Sequence, residues 1–326
     1  MASKVTLRSN YLRACSSSGV LRCGIPSKPS AVPFQYSGSL QQRRYEASAP
    51  LCQKPSEITR PSVPPASRAW PVTTPKRPIQ VVDSINALLS LLDNLTRLPT
   101  DDPRPSLFID LQGDSIGRNG TISVLTLFVV RPVKTIYLVD IHKLGANAFT
   151  TTHAGSGVSL QTILESATIP KVIFDVRNDS DALFAHYNIS LDGIQDLQLM
   201  ELATRKGSKK VVSGLAKCIQ VYTHLDKNKK EQWKKRRANQ KRNQKMNYES
   251  SYEFLHGRPL KPEVIRYCFE GVSLLRGLYR VIDRKLDPAS KEKVQSATKG
   301  RIEYSKSANY EGRSSRNAFG PWNEGG

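Results

Sequence analysis

The sequence predicts an α/β domain in which a mixed five-stranded sheet, a three-strand meander followed by alternating helices and strands, is layered with helices. Two patterns lead there. Three β-branched and aromatic runs follow one another at 107–112 (LFIDLQ), 121–130 (TISVLTLFVV) and 135–141 (TIYLVDI), separated by turns. After them, short apolar runs alternate with stretches of helical periodicity as far as residue 205. Hydrophobic residues make up 38% of the 326, enough for a real core. No apolar run approaches the roughly 20 residues that a membrane-spanning helix needs.

The elements follow in order. Residues 1–45 carry Lys4, Arg8, Arg13, Arg22, Lys28, Arg43 and Arg44 without an acid, giving +7. Such a segment fits either a mitochondrial transit peptide, processed near Arg43-Arg44-Tyr45, or a disordered basic tail. Residues 46–105 hold eleven of the twenty prolines, and 46–81 read as an extended linker. The folded domain is expected over 82–286, opened by a helix with Ile85, Leu88, Leu89, Leu92 and Leu95 at helical spacing and Asp83 or Ser84 as cap. In the first strand Leu107, Phe108 and Ile109 form the unbroken run of a strand buried on both faces. Asp110 stands where that strand leaves the core, and Gln112 points to the same side.

The glycines Gly113, Gly117 and Gly120 mark a hairpin turn; no GKS or GKT follows to make a phosphate loop. Arg131-Pro132 turns the second strand into the third. A short helix is expected at 160–166, a buried strand at 171–176 and a helix at 179–187. A fifth strand is expected at 189–194 and a helix at 197–205. Further on, Ile265, Cys268, Val272, Leu275, Tyr279, Ile282 and Leu286 recur at helical spacing, with Tyr267 and Gly271 on a neighbouring side. Residues 287–326 are expected to be a disordered tail. Cys15, Cys23, Cys52, Cys218 and Cys268 form no CxxC pair, so they read as reduced thiols of an intracellular protein.

Three segments together resemble the DEDD 3′-5′ exonuclease domain of the RNase H-like fold, as in RNase D, over roughly 82–286. FIDLQGDSIGRNGTISVLTL resembles its first motif, with Asp110 at the first acid and Gln112 at the glutamate. KVIFDVRNDSDALFAHYNISLDGIQDLQ resembles the second, with Asp179 at the acid and Asp196-Leu197-Gln198 after it. RPLKPEVIRYCFEGVSLLRGLY resembles the third, with Tyr267 in place and Gly271 where the last acid belongs. The pattern is closest to degenerate proteins of the Egalitarian type and to a fungal branch ending near a Pro-Trp, here Pro321-Trp322.

The resemblance implies two-metal phosphodiester hydrolysis, in which cations about 3.5–4 Å apart clamp the attacking and leaving oxygens. Four carboxylates serve it, because hard cations select oxygen and need anionic ligands. This chain keeps Asp110 and Asp179 and replaces the others by Gln112 and Gly271, so Asp110 and Asp179 make one weak metal site at most. Gln112 still has a carbonyl oxygen to offer, and Asp114, Glu270 and Asp196 are the available substitute acids. Duller readings stand beside these. Asp110 at a strand end solvates a turn, Asp179 in a first helical turn gains from the backbone dipole, and Tyr267 packs.

The other informative stretch is a basic insertion at 227–247. Between 227 and 245 it holds ten Lys or Arg against Glu231 alone, so with 1–45 it supplies most of the +21 net charge. It shows no apolar stripe. As a flexible arm beside the groove, Lys229, Lys230, Lys234, Lys235, Arg236, Arg237, Lys241 and Arg242 would meet phosphates while Trp233 stacks on a base. Lys234-Lys235-Arg236-Arg237 also reads as a nuclear localisation signal, so the compartment stays open between mitochondrial, nuclear and cytoplasmic. The expected function is RNA or DNA binding, with no membrane partner, by a catalytically degenerate exonuclease domain. The alternatives are an active enzyme using Mg2+ or Mn2+ on replacement ligands, and a protein-interaction scaffold.

Overall fold

The structure is a computed structural model and describes residues 78–100, 102–223, 225–246 and 254–322. The transit-peptide reading of 1–45 and the linker reading of 46–77 lie outside the described residues. Among these, the strands form one six-stranded mixed sheet in the order β1-β4-β3-β2-β5-β6. The meander is β2 (Leu107–Gln112), β3 (Val124–Val129) and β4 (Thr135–Asp140), antiparallel throughout. On its far side β5 (Lys171–Ile173) and β6 (Ile194–Asp196) add parallel to β2. β1 (Ile79–Val82) adds parallel to β4, so three residues assigned to the linker, 79–81, belong to the sheet.

The fifth strand of the sequence reading is also misplaced. Asn188 closes the preceding helix in a left-handed conformation, φ 53°, and Gly193 turns the chain at φ 63°. Pairing therefore starts at Ile194, and Ile189 and Leu191 are buried in the connection instead. The strand expected at 171–176 stops at Ile173, because Asp175 takes φ 62° and swings the chain into a helix.

The helices are α1 (Ile85–Leu95), the short α2 (Ile141–Leu144) and α3 (Asn147–Thr150), α4 (Leu160–Glu165) and α5 (Arg177–Tyr187). Then come α6 (Leu197–Thr204), α7 (Leu215–Tyr222), α8 (Lys227–Met246), α9 (Pro262–Asp283) and α10 (Pro288–Lys306). Alternation along β2 divides the core. Leu107, Ile109 and Leu111 pack with α1, α3, α4 and α5, while Phe108 faces α6, α7 and α9 with Val124, Phe128 and Val172. Ser84 caps α1 as expected, its hydroxyl accepting from the Ala87 amide.

The carboxyl-terminal segment is not a tail. Asp287 caps α10 through the Ser290 amide at 2.7 Å, and α10 packs on α5, α6 and β6. Its inner face is Val294, Thr298, Arg301, Ile302 and Ser305, too polar to show as an apolar stripe. What holds it is ionic. Arg301 Nη1 reaches the wholly buried Asp196 at 2.6 Å. Asp196 also accepts from the amides of Asp175 and Gln198, both at 3.0 Å, so one carboxylate joins β6, α5, α6 and α10. Beyond α10 the chain runs back across the domain, with Arg118 donating to the Ser305 and Ser307 carbonyls and Phe319 bridging to Val211. No described helix is long and apolar enough to cross a membrane.

Removing the partner of a buried charge costs about 3–5 kcal/mol. Arg301→Ala is therefore expected to lower unfolding stability by about that much in urea titration, whereas Lys299→Ala, on the exposed side of α10, stays within about 0.5 kcal/mol.

Candidate functional site

Asp110 lies two residues from the end of β2, the strand with β3 on one side and β5 on the other. Gln112 shares its side of the strand, and the two side chains meet: Gln112 Nε2 donates to Asp110 Oδ2 at 2.7 Å. The amide oxygen is spent elsewhere, accepting from the Thr126 hydroxyl at 2.7 Å. Gln112 thus presents hydrogen to the acid and keeps its oxygen in the sheet, and the expected carbonyl ligand is not on offer.

Asp179 stands in the first turn of α5, and no described residue hydrogen-bonds or pairs with its carboxylate. Burial and then the negative charges of Asp110, Asp175 and Asp196 hold it well above the usual carboxylate range. Burial also raises Asp110, against the pull of the Arg237 charge and the Gln112 hydrogen bond.

The third motif is on α9. Gly271 is buried, and a β-carbon there would stand 2.5 Å from Asp110 Oδ2 and 3.1 Å from Arg237 Nη2. The place of the missing acid is therefore filled, from one side by Asp110 and from the other by a guanidinium brought in by α8. Arg237 lies over Tyr267, 4.2 Å from Cζ to the ring centroid, and 5.5 Å from the Trp233 ring. Its Nη2 is buried and has no hydrogen-bond partner. Tyr267, raised by burial, is thus the floor for a cation.

The basic insertion is a helix, not a flexible arm. Its one aromatic residue, Trp233, is 5% exposed and packs in the core beside α9, so it is not free to stack on a base. Arg236 pairs with Glu270 at 2.9 Å, and Arg266 reaches the same carboxylate at 3.0 Å. Lys229 pairs with Asp226 at 2.9 Å and Lys230 donates to the Gln220 carbonyl at 2.8 Å, while Lys234 and Lys235 are exposed. Lys241 and Arg242 continue along α8, their side chains outside the described residues.

The substitute acids fare no better as ligands. Glu270 is held by two arginines and Asp196 by Arg301. Asp114 sits in the hairpin turn, accepting from the Ser115 hydroxyl at 3.3 Å. Among the described residues, no group of three or more His, Cys, Asp or Glu is placed to hold a metal ion. The residues present do not fit a pair of divalent cations: two acids remain, an amide hydrogen faces one of them, and a fixed positive charge stands beside it. Arg237 and Arg301 carry the site and the scaffold under it. The sequence signalled the first only through the i, i+4 spacing of Trp233 and Arg237, and gave no sign of the second.

A mixed sheet with an acid near the end of a central strand, a second acid opening the helix after β5 and a tyrosine on the helix facing them defines an exonuclease-type α/β domain. The sequence model of the 3′-5′ exonuclease family matches residues 106–287, and the chain belongs to that family. Among curated proteins it is similar to the piRNA biogenesis protein EXD1 of Bombyx mori, 28% identical over 132 residues, which is 39% of each chain. The chain thus matches well under half of that relative's length. Among solved structures it shares its fold with RNase D of Trypanosoma brucei. The complex with RNA U12 has a TM-score of 0.56 at 20% identity, covering 71% of this chain and 72% of that one. The GMP complex has a TM-score of 0.59 at 19% identity, covering 75% and 69%.

An acid whose folded pKa is raised disfavours the folded state once pH exceeds its unfolded value, near 4. Asp179→Asn removes that penalty, so in chelator-containing buffer the variant is expected to melt above wild type at neutral pH. The gap should close as pH falls towards 4 and both side chains become neutral, read by thermal melts across pH.

Proposed function

We propose that this chain binds nucleic acid through an exonuclease-family domain that does not cut it. The observation that carries the reading is Arg237, whose guanidinium stands over Tyr267 and Gly271, beside Asp110. A cation entering there would meet like charge at short range in a half-buried site, where repulsion is weakly screened. Two acids with a neighbouring guanidinium cannot offset the four positive charges that the family's chemistry assembles. No divalent ion has a part in this reading.

Retained binding is supported by two things. The chain carries +21 net charge, much of it on α8, as a partner of phosphodiesters would. The fold is shared with an RNase D solved on RNA, and the family acts on nucleic-acid ends. RNA and DNA are both open as ligands.

The test is digestion of 3′-labelled RNA and DNA with Mn2+. Wild type is expected to leave both substrates intact, and so is Gln112→Glu/Gly271→Asp, because Arg237 still occupies the site. Adding Arg237→Ala to that pair makes the room the metals lack, and a ladder in the triple variant alone is the expected sign of a blocked ancestral site. A Mn2+-dependent ladder from wild type, lost in Asp110→Asn, would overturn the reading.

A further inference from the structure

The side of α8 turned inward is fully committed. Trp233 is in the core, Arg236 is on Glu270 and Arg237 is over Tyr267, so the helix lies across the third motif and closes the approach to Asp110 from that side. An α-helix turns 100° per residue, which sets Lys227, Lys234 and Lys235 about 100–200° round from Trp233. All three are exposed, and among the described residues no acid pairs with them.

That outer face works against the fold. Lys227, Lys229 and Lys230 crowd the first turn of α8 at the positive end of the helix dipole, where the capping Asp226 pairs with Lys229 alone. Lys230 and Lys234 repel at i, i+4 spacing. The helix has no apolar stripe to compensate, so beyond Trp233 it is held by arginines, and Glu231, the one acid on its outer face, leaves net positive charge there. A polyanion lying along it would remove the repulsion and release counterions. The exposed residues between 227 and 238 are Lys, Asn, Glu, Gln and Ala, with no large apolar side chain to enter a bilayer, which favours a nucleic acid over a lipid surface.

We propose that the outer face of α8, and not the cleft beneath it, is where nucleic acid docks, through its phosphodiester backbone and without need of a free 3′ end. This rests on the nucleic-acid reading above and departs from the way an end-directed exonuclease takes its substrate.

The experiment measures binding of the full chain to a single-stranded oligoribonucleotide, linear with a free 3′ hydroxyl and circularised, by fluorescence anisotropy over a salt series. Linear and circular forms are expected to bind within about twofold of each other, and Lys227→Gln/Lys234→Gln/Lys235→Gln to bind about tenfold more weakly, with the log–log salt slope reduced by about 2. These side chains are exposed and repel one another, so the variant should melt no lower than wild type, separating lost contacts from lost structure. Linear RNA bound tenfold tighter than circular, or an unchanged slope in the variant, would place the ligand in the cleft and overturn this inference alone. If neither oligonucleotide binds, the nucleic-acid reading falls with it. Binding to phosphatidylserine vesicles with no RNA binding would make α8 a membrane-facing helix.

Discussion

One guanidinium sets the arrangement of the cleft in this protein. Arg237 rests on the Tyr267 ring, leans on the bare backbone of Gly271 and draws on the charge of Asp110. Each neighbour suits it for a different physical reason. The ring offers its negative face, the glycine offers space that any side chain would take, and the acid offers charge. A carboxylate at 271 and a guanidinium from α8 compete for one volume, so the absent acid and the inserted arginine are two sides of one substitution.

The frame around that contact is the ordinary one for its family. A central strand delivers Asp110 to the edge of the core, and a parallel neighbour feeds the helix that carries Asp179. With Gln112 at the place of the glutamate, hydrogen bonds tie the strand end. The amide donates to one acid and accepts from a threonine on the next strand. Asp179 stays outside that network, its carboxyl held high by burial and then by the like charges around it.

Asp196 shows the same economy. In the spacing of the second motif it looks like a spare acid near the chemistry; in the fold it is the buried knot to which Arg301 ties the carboxyl-terminal helix. The segment after 286 is consequently part of the domain, and the run back to Phe319 closes over the hairpin that follows β2. An acid's availability as a ligand is set by its partners, and Asp196 and Glu270 are already held by arginines.

The sequence by itself determined the meander, the α5 and α9 helices, the place of Asp110, Asp179 and Tyr267, and the loss of two acids. Those depend on periodicity and spacing along the chain, which are local. Only the tertiary structure decided what fills the vacancy, since Trp233 and Arg237 read as members of a solvated charge run until α9 is laid beside them. It also decided that 79–82 join the sheet and that 288–306 pack against it. A short edge strand among prolines and a helix whose inner face mixes Val294 and Ile302 with Thr298, Arg301 and Ser305 carry no stripe, because their stability comes from partners far away in the chain.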